Sequence, residues 1–180
     1  MPEVLSLIGD APITASMVVD EAGSHIGPDG TSKSLGGESD FELLMLFRKR
    51  AGTFLTTGLT ARSENYRLPS SATLVILTRS NRENLPEQLQ VGQVRLIGNE
   101  TALTPAESVQ ELMTSSPTPL HIEFGPTALT ETLRSRTDVR AFISSEYESG
   151  ATAFISKWNL LQVGAFRFKN LYVTEVSGRV

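Results

Sequence analysis

Short apolar runs alternate along this chain with segments whose apolar residues recur at helical spacing. A run of four to eight residues rich in β-branched types and bounded by turn residues is typical of a buried strand. The pattern predicts strands at residues 13–19, 53–57, 72–78, 94–97, 120–124 and 139–144, and a hairpin pair within 163–176. Strands that alternate with helices across short loops predict an α/β fold with a mixed, mostly parallel sheet flanked by helices.

Three predicted helices begin at residues suited to cap the free N–H groups of a first turn. Ser39 and Glu42 have the spacing of a capping box, and Gly52 ends the apolar stripe that follows. Thr104-Pro105-Ala106-Glu107 is a second capping box with proline at the first helical position. Gly125-Pro126-Thr127 opens the third helix directly after a strand.

The composition favours one globular domain over residues 1–180, with 39% apolar and 20% charged residues. A net charge of −4 argues against nonspecific binding to nucleic acid, which requires a strongly basic face. The chain has no cysteine, which excludes disulfides, thiol catalysis and cysteine-ligated zinc.

No apolar run approaches the ~20 residues that a membrane helix needs, so we expect no membrane partner. Residues 1–13 contain acidic side chains and no basic region, which makes them a poor signal peptide. We therefore expect a cytoplasmic protein.

Three predicted strand ends carry residues suited to a ligand: Gly58-Leu59-Thr60, Thr78-Arg79-Ser80 and Gly125-Pro126-Thr127. Open α/β sheets bind ligands beyond the carboxyl ends of their strands. The helix after Gly125 offers free N–H groups to an anion such as pyrophosphate, although an ordinary tight turn explains the same residues. Arg79 and two hydroxyls suit a phosphate monoester, although a solvated strand exit is the simpler explanation of that motif.

The titratable residues offer few other sites. His25 and His121 lack the carboxylate spacing of a metal site, so we predict no metal. His121 lies two residues before Glu123, so both point to one face of a strand and a structural pair is expected. Asp20, Glu64 and Glu123 are the acid–base candidates, with a plain surface carboxylate as the alternative for Asp20. The chain has no Walker lysine, no G-x-G-x-x-G and no G-x-S-x-G, which leaves triphosphatase, Rossmann and serine-hydrolase sites unsupported.

Three stretches in the same order resemble the reductase domain of the riboflavin-biosynthesis deaminase-reductases and its stand-alone actinobacterial relatives. "ASMVVDEAGSHIGPDGTSKSLGGESD" resembles the opening segment of that family. "LFRKRAGTFLTTGLTARSENYRL" is similar to the family pattern LRxxADxxLVGxGTxRxExY, and "LHIEFGPTAL" is similar to E-G-G-P-T-L. The resemblance implies the dihydrofolate reductase-like fold and covers most of residues 13–143.

The resemblance also implies an NADPH-dependent reductase, expected to be a homodimer, that acts on a small molecule. The family substrate is a ribosylamino-pyrimidine phosphate, and a pteridine is the second possibility. Cofactor contacts are implied for Gly58, Thr60, Thr78, Arg79, Ser80, Glu123, Gly125, Pro126 and Thr127. Substrate contacts are implied for Ser16, Arg62, Glu64 and Asn65, and Asp20 is the candidate catalytic residue.

Two residues depart from the family motifs at positions close to the expected cofactor. Leu59 and Phe124 stand where the family has glycine. These changes favour an alternative hypothesis, a non-catalytic module of the same fold that binds a nucleotide or a protein partner.

Overall fold

An eight-stranded sheet runs through the computed structural model, which describes residues 6, 8–70, 72–115 and 119–178. The strands are β1 (Ile13–Val18), β2 (Thr53–Thr57), β3 (Thr73–Leu77), β4 (Val94–Ile97), β5 (Leu120–Glu123), β6 (Val139–Ser145), β7 (Leu160–Phe168) and β8 (Leu171–Gly178). Their spatial order is β4-β3-β2-β5-β1-β6-β8-β7. Strands β1 to β6 pair in parallel, whereas β8 runs antiparallel to both β6 and β7. The mixed, mostly parallel sheet predicted from the sequence is confirmed.

Helices cover both faces of this sheet, as alternation of side chains along each strand requires. They are α1 (Gly37–Arg50), α2 (Gly58–Ser63), α3 (Glu87–Gln90), α4 (Pro105–Ser115), α5 (Pro126–Ser135) and α6 (Glu148–Trp158). Apolar residues of α4, α5 and α6 pack with one set of strand residues, including Leu55 and Val75. Residues of α1, α2 and α3 pack on the opposite face, where Phe54 and Leu74 point. Within the described ranges, none of the helices has the length and apolar character that a membrane span requires.

The helix starts test the capping predictions. At α4, the Thr104 N–H donates to Glu107 Oε2 (2.8 Å) and the Glu107 N–H donates to Thr104 Oγ1 (3.2 Å), which confirms that capping box. The capping box at Ser39 and Glu42 is wrong, because the N-cap of α1 is Gly36, three residues before Ser39, and Gly36 has φ 70°. A Cβ on Gly36 would lie 2.6 Å from the Cβ of Asp40, so this close turn requires glycine.

Three helices were not predicted, and one apolar residue lies outside the core. The segment after β2 forms helix α2, Glu87–Gln90 form α3, and Glu148–Trp158 form α6. Trp158 and Leu160 pack in the core as their apolar character indicates. The apolar character of Leu161 also predicts a core position, but this residue is 45% exposed because it lies on the edge strand β7.

Candidate active site

A cavity of about 530 Å³ opens at the carboxyl ends of the parallel strands. Its wall includes Ser16 from β1, Thr57 from β2, Glu123 from β5 and Ser144 from β6. The carboxyl ends of parallel strands meet at one edge of a sheet, and the crevice there is the usual ligand site of open α/β folds. Apolar side chains line much of the remaining wall: Met17, Val18, Leu43, Leu44, Phe47 and Phe142.

Helix α2 divides its side chains between the cavity and the outside. Thr57 caps this helix by accepting the Thr60 N–H (3.1 Å), and the two hydroxyls also lie 2.9 Å apart. The cavity wall contains Leu59, Thr60, Ser63 and Glu64. Gly58 and Arg62 lie outside that wall. The structure therefore places Arg62 on the far side of α2, close to the end of β3.

Gly58 lies against Thr78 in this outer region. A Cβ on Gly58 would come within 2.8 Å of Thr78 Oγ1 and 3.2 Å of Arg62 Nη1. Thr78 Oγ1 itself accepts the N–H of Ser80 (3.0 Å), and Arg79 between them is exposed. One arginine, Arg62, and the hydroxyl of Thr78 thus lie beside Gly58, outside the cavity wall.

The start of helix α5 is free of side-chain caps and faces the cavity. Gly125 is the N-cap residue with φ −66° and ψ 167°, and no side chain accepts the first N–H groups. Any residue type can adopt this φ and ψ. A Cβ on Gly125 would have Thr60 Oγ1 as its one neighbour within 4 Å, at 3.7 Å. The fold therefore does not require glycine at this position, and the missing side chain leaves room at a helix end that attracts anions.

Leu59 and Phe124, the two residues that depart from the family motifs, both contribute to the cavity wall. Leu59 is 71% exposed and lies on the rim of the cavity. Phe124 is 3% exposed and packs with the core cluster formed with α4, α5 and α6.

A buried ion pair supports the cavity wall from behind. Arg48 donates from Nε to Glu123 Oε1 (2.7 Å) and from Nη2 to Glu123 Oε2 (2.6 Å). Tyr66 also donates its hydroxyl to Glu123 Oε2, and the Arg48 guanidinium lies over the Phe54 and Tyr66 rings. Burial alone would raise the pKa of Glu123, but the hydrogen bonds and charge of Arg48 outweigh it and hold that pKa below its usual value. Glu123 is therefore ionised at neutral pH, and both of its carboxylate oxygens accept hydrogen bonds.

We expect Arg48→Met to lower the free energy of unfolding by about 2 kcal/mol, because it leaves the Glu123 carboxylate buried without its cation. This figure lies below the usual range for a buried pair because the Arg48 side chain is 26% exposed. Urea denaturation at pH 7 measures the change. The matched control is Arg95→Met, which breaks the exposed pair with Glu111 and should cost under about 0.5 kcal/mol. Equal losses in both variants would contradict a structural role for the Glu123 pair.

His121 forms a second buried group beside Glu123. Its Nδ1 lies 2.9 Å from Thr14 Oγ1 and its Nε2 lies 3.0 Å from Ser16 Oγ, while its ring stacks on Phe47 at 4.8 Å between centroids. Burial lowers the pKa of His121 to about 4, so the ring is neutral at neutral pH. His121 Nε2 and Glu123 Oε1 are 4.0 Å apart, which fits the structural pair predicted from their spacing. The hydrogen bond between His121 Nε2 and Ser16 Oγ holds Ser16 at the cavity wall.

Asp40 on α1 is a cavity residue that the sequence reasoning missed. Ser144 Oγ donates to Asp40 Oδ1 (2.7 Å), and this is the hydrogen bond the described residues make to its side chain. Burial raises the pKa of Asp40 to about 6, with the charge of Glu123 adding to the effect and the Ser144 hydrogen bond opposing it. The sequence did contain an indication of this position. Asp40 precedes Leu43, Leu44 and Phe47 at the spacing i, i+3, i+4 and i+7, so it lies on the apolar stripe of the helix.

The segment between β1 and α1 folds over the cavity. His25 and Ser32 from this segment line the wall, and the Ser32 N–H donates to Glu64 Oε1 (2.8 Å). Burial lowers the pKa of His25, and the charge of Glu64 opposes that effect. Asp20 lies at the start of the segment, where its Oδ1 accepts the N–H groups of Ala22 (2.9 Å) and Ser24 (2.7 Å).

The structure brings together about half of the residues that the sequence nominated. The cavity wall contains Ser16, Thr60, Glu64, Glu123, Gly125, Pro126 and Thr127. The nominated residues outside that wall are Asp20, Gly58, Arg62, Asn65, Thr78, Arg79 and Ser80. Asn65 is turned toward α3, where its Oδ1 accepts Gln88 Nε2 (2.7 Å).

Comparison with solved structures identifies the fold. The chain matches no protein-family model and no curated protein at a significant level. A pyrimidine reductase-like protein from Corynebacterium diphtheriae is 20% identical with a TM-score of 0.63, over 96% of this chain and 94% of that one. The dihydrofolate reductase of Enterococcus faecalis, complexed with NADP(H) and RAB-propyl, is 18% identical with a TM-score of 0.55, over 92% of this chain and 94% of that one.

A longer protein has the same fold over part of its length. The RibD protein of Acinetobacter baumannii is 11% identical with a TM-score of 0.65, over 98% of this chain and 61% of that chain. The molecule therefore has the dihydrofolate reductase-like fold expected from its motifs. Its structural neighbours include pyrimidine reductase-like proteins, riboflavin-biosynthesis proteins and dihydrofolate reductases.

Proposed function

We propose that this protein is an NADPH-dependent reductase of a pyrimidine or pteridine compound. The observation that carries the proposal is a single cavity with an uncapped helix N-terminus at Gly125 on one wall and the partly buried acid Asp40 on another. The NADP(H) complex of a dihydrofolate reductase of the same fold supports the choice of cofactor. Substrate candidates are a pteridine and the phosphoribosylamino-uracil named for the Thermotoga maritima deaminase-reductase, a further structural neighbour.

The residues around Gly125 fit the phosphates of a dinucleotide. The N–H groups of the first turn of α5, near Thr127, are free to donate, and the helix dipole favours negative charge there. Gly125 leaves the space that a side chain would fill. Outside the cavity, Arg62 near Thr78 and the exposed Arg79, the next residue of the chain after Thr78, would supply positive charge for a 2′-phosphate. When bound, NADPH supplies a hydride.

Asp40 is suited to supply the proton of the same reaction. A dihydropteridine has a carbon–nitrogen double bond in its ring, and a ribosylamino-pyrimidine gains one when its sugar ring opens to the imine, with the N–H proton passing to the sugar oxygen. Hydride adds to the carbon of that double bond in both classes, so the nitrogen must gain a proton. A carboxyl group with a pKa of about 6 exchanges protons readily near neutral pH. Ser144 fixes Oδ1 and thereby orients the carboxyl group toward the cavity. We assign the proton to Asp40 rather than to Asp20, because Asp20 is outside the cavity wall and caps a turn.

The non-catalytic alternative depends on Leu59 and Phe124 closing the cofactor site. The exposure of Leu59 on the rim and the packing of Phe124 into the core support the reductase proposal over that alternative. An assay of NADPH absorbance with candidate pyrimidine and pteridine substrates tests the proposal. NADPH oxidation that depends on both the protein and the substrate supports it. Tight NADPH binding with no turnover of any candidate would favour the alternative.

Arg62→Ala and Arg79→Ala should each weaken NADPH binding by about tenfold and leave NADH binding within about twofold, because a guanidinium pairs with a phosphate monoester that NADH lacks. Fluorescence titration with both cofactors measures the two affinities. Arg67→Ala is the charge-matched control, since Arg67 is exposed and outside the cavity wall. If either variant loses affinity for both cofactors equally, that arginine does not recognise a 2′-phosphate.

A further inference from the structure

A buried chain of hydrogen bonds runs from strand β1 through His121 to the cavity. The His121 side chain is fully buried, and its ring lies nearly parallel to the Phe47 ring, at 9°. Its Nδ1 lies 2.9 Å from Thr14 Oγ1, and its Nε2 lies 3.0 Å from Ser16 Oγ. Thr14 is buried in the sheet, whereas Ser16 is part of the cavity wall. The ring therefore joins a buried hydroxyl to a hydroxyl that a ligand can reach.

The position of one hydrogen on the His121 ring decides what the Ser16 hydroxyl can do. The ring is neutral at neutral pH, because burial lowers the pKa of His121 to about 4. A neutral imidazole has one N–H, so one ring nitrogen donates and the other accepts. If Nε2 has the hydrogen, it donates to Ser16 Oγ, and the Ser16 hydroxyl can donate into the cavity. If Nδ1 has it, the Ser16 hydroxyl donates to Nε2 and offers a ligand lone pairs alone.

The surroundings of the ring favour the hydrogen on Nε2. Glu123 Oε1 lies 4.0 Å from Nε2, and the charge of Glu123 acts on His121 more strongly than that of Arg48. A negative charge there attracts an N–H and repels a nitrogen lone pair. With the hydrogen on Nε2, the Thr14 hydroxyl donates to Nδ1 at 2.9 Å. With the hydrogen on Nδ1, it would have to donate to the Leu120 carbonyl oxygen at 3.5 Å, which is long for a hydrogen bond.

We propose that His121 is a positioning residue that fixes the Ser16 hydroxyl as a hydrogen-bond donor to a carbonyl oxygen of the bound ligand. Among the described residues, His121 is the hydrogen-bond partner of Ser16 Oγ, so the hydroxyl hydrogen is left for a ligand. The inference rests on the proposed function, which places NADPH and a pyrimidine or pteridine in this cavity. The carboxamide of the cofactor and the ring of the substrate each have a carbonyl oxygen.

The position of the ring hydrogen can be measured without any ligand. Nitrogen NMR distinguishes a protonated from an unprotonated ring nitrogen, and the chain has two histidines, His25 and His121. Comparison with His25→Gln assigns the signals of His121 in the protein at pH 7. We expect the hydrogen on Nε2. A hydrogen on Nδ1 would overturn the inference whether or not NADPH binds.

A double-mutant cycle separates this role from the packing of His121. Calorimetry measures binding of NADPH, of 5-amino-6-(5-phosphoribosylamino)uracil and of 7,8-dihydropterin to the wild-type protein, Ser16→Ala, His121→Leu and the double variant. Each single variant should weaken binding of the ligand whose carbonyl oxygen meets Ser16 by about fivefold, the effect of one hydrogen bond. The double variant should lose no more than Ser16→Ala alone, because His121 acts through the Ser16 hydroxyl.

The ligand that loses affinity identifies the carbonyl oxygen. A loss for NADPH points to the carboxamide, and a loss for either of the other two ligands points to the substrate ring. No loss for any ligand in Ser16→Ala, or losses that multiply in the double variant, would overturn the inference. Failure of NADPH to bind the wild-type protein would instead overturn the proposed function, while the NMR measurement still decides the position of the hydrogen.

His121→Gln is the conservative variant of the series. Its side-chain amide has an N–H that can donate to Ser16 Oγ in place of the histidine Nε2. Its affinity for the same ligand should therefore stay within about twofold of wild type, although it lacks the ring that packs on Phe47. Equal losses in His121→Gln and His121→Leu would show that packing, and not the donated hydrogen bond, is the cause. If His121→Leu fails to fold, Ser16→Ala and the NMR measurement still decide the inference.

Discussion

Asp40→Asn should reduce kcat/KM for substrate reduction by roughly 10²- to 10⁴-fold, the usual contribution of a positioned acid. Asparagine keeps an oxygen to accept the Ser144 hydroxyl but cannot deliver a proton to the ring nitrogen. In the wild-type protein the protonated acid is the active form, so activity should fall as pH rises above about 6. The variant should lose this dependence. Steady-state assays from pH 5 to pH 9 measure both effects.

Asp20→Asn is the matched control, because it makes the same change at the acid that the sequence nominated. Asparagine can still accept the two backbone N–H groups through its oxygen, so the turn should persist. We expect its kcat/KM to stay within about threefold of wild type. A large loss in Asp20→Asn together with an active Asp40→Asn would reverse the assignment of the proton donor.

The same substitution of Asp40 should stabilise the protein at high pH. The native state holds the proton up to pH about 6, whereas the unfolded chain releases it near the ordinary value of 3.8. Stability therefore falls as pH rises through this window, by about 2 kcal/mol when the shift is discounted for partial solvent access. Asp40→Asn removes this penalty, so its melting temperature should exceed that of wild type at pH 8 and match it below pH 4. Such a gain in stability with a loss of activity is typical of a functional acid.

Gly125→Ala and Gly125→Val should weaken NADPH binding by about tenfold and about 100-fold, since each added carbon occupies space at the free end of α5. The melting temperature should change little, because the backbone conformation suits any residue and a Cβ meets only Thr60 Oγ1 at 3.7 Å. Calorimetry and thermal denaturation measure the two properties separately.

Gly164 offers a close control for this series. It has no positive φ, a Cβ there would lie 3.7 Å from Glu175 Oε2, and it lies on β7 outside the cavity wall. Gly164→Ala and Gly164→Val should leave NADPH affinity unchanged. Unchanged affinity in the Gly125 variants would show that no ligand approaches the backbone at the start of α5.

The strands were predictable because most are buried on both faces and therefore appear as continuous apolar runs. Residues 53–57 and 94–97 have the predicted bounds, and the other parallel strands differ by one or two residues. Helix α2 was missed because it follows β2 without a loop and has six mostly polar residues, too few for a period to show. Only its cap at Thr57 could have indicated it.

The site was harder to predict because its contacts join distant parts of the chain. Arg48 and Glu123 are 75 residues apart, and Asp40 and Ser144 are 104 apart, so no local spacing indicates either pair. Motif reasoning did locate Gly125 and Thr127, since a glycine between a strand and a helix is a local feature. Asp40 was overlooked because its segment was explained by helix capping, although its place on an apolar stripe distinguished it.

Titration of NADPH into the purified protein by calorimetry tests the central claim most directly. The account predicts one binding site with a dissociation constant in the micromolar range, about 8 kcal/mol. It also predicts that Gly125→Val weakens this binding by about 100-fold while Gly164→Val keeps it. Absence of binding at millimolar NADPH would contradict the reductase assignment, because the cavity and the free end of α5 would then serve no dinucleotide.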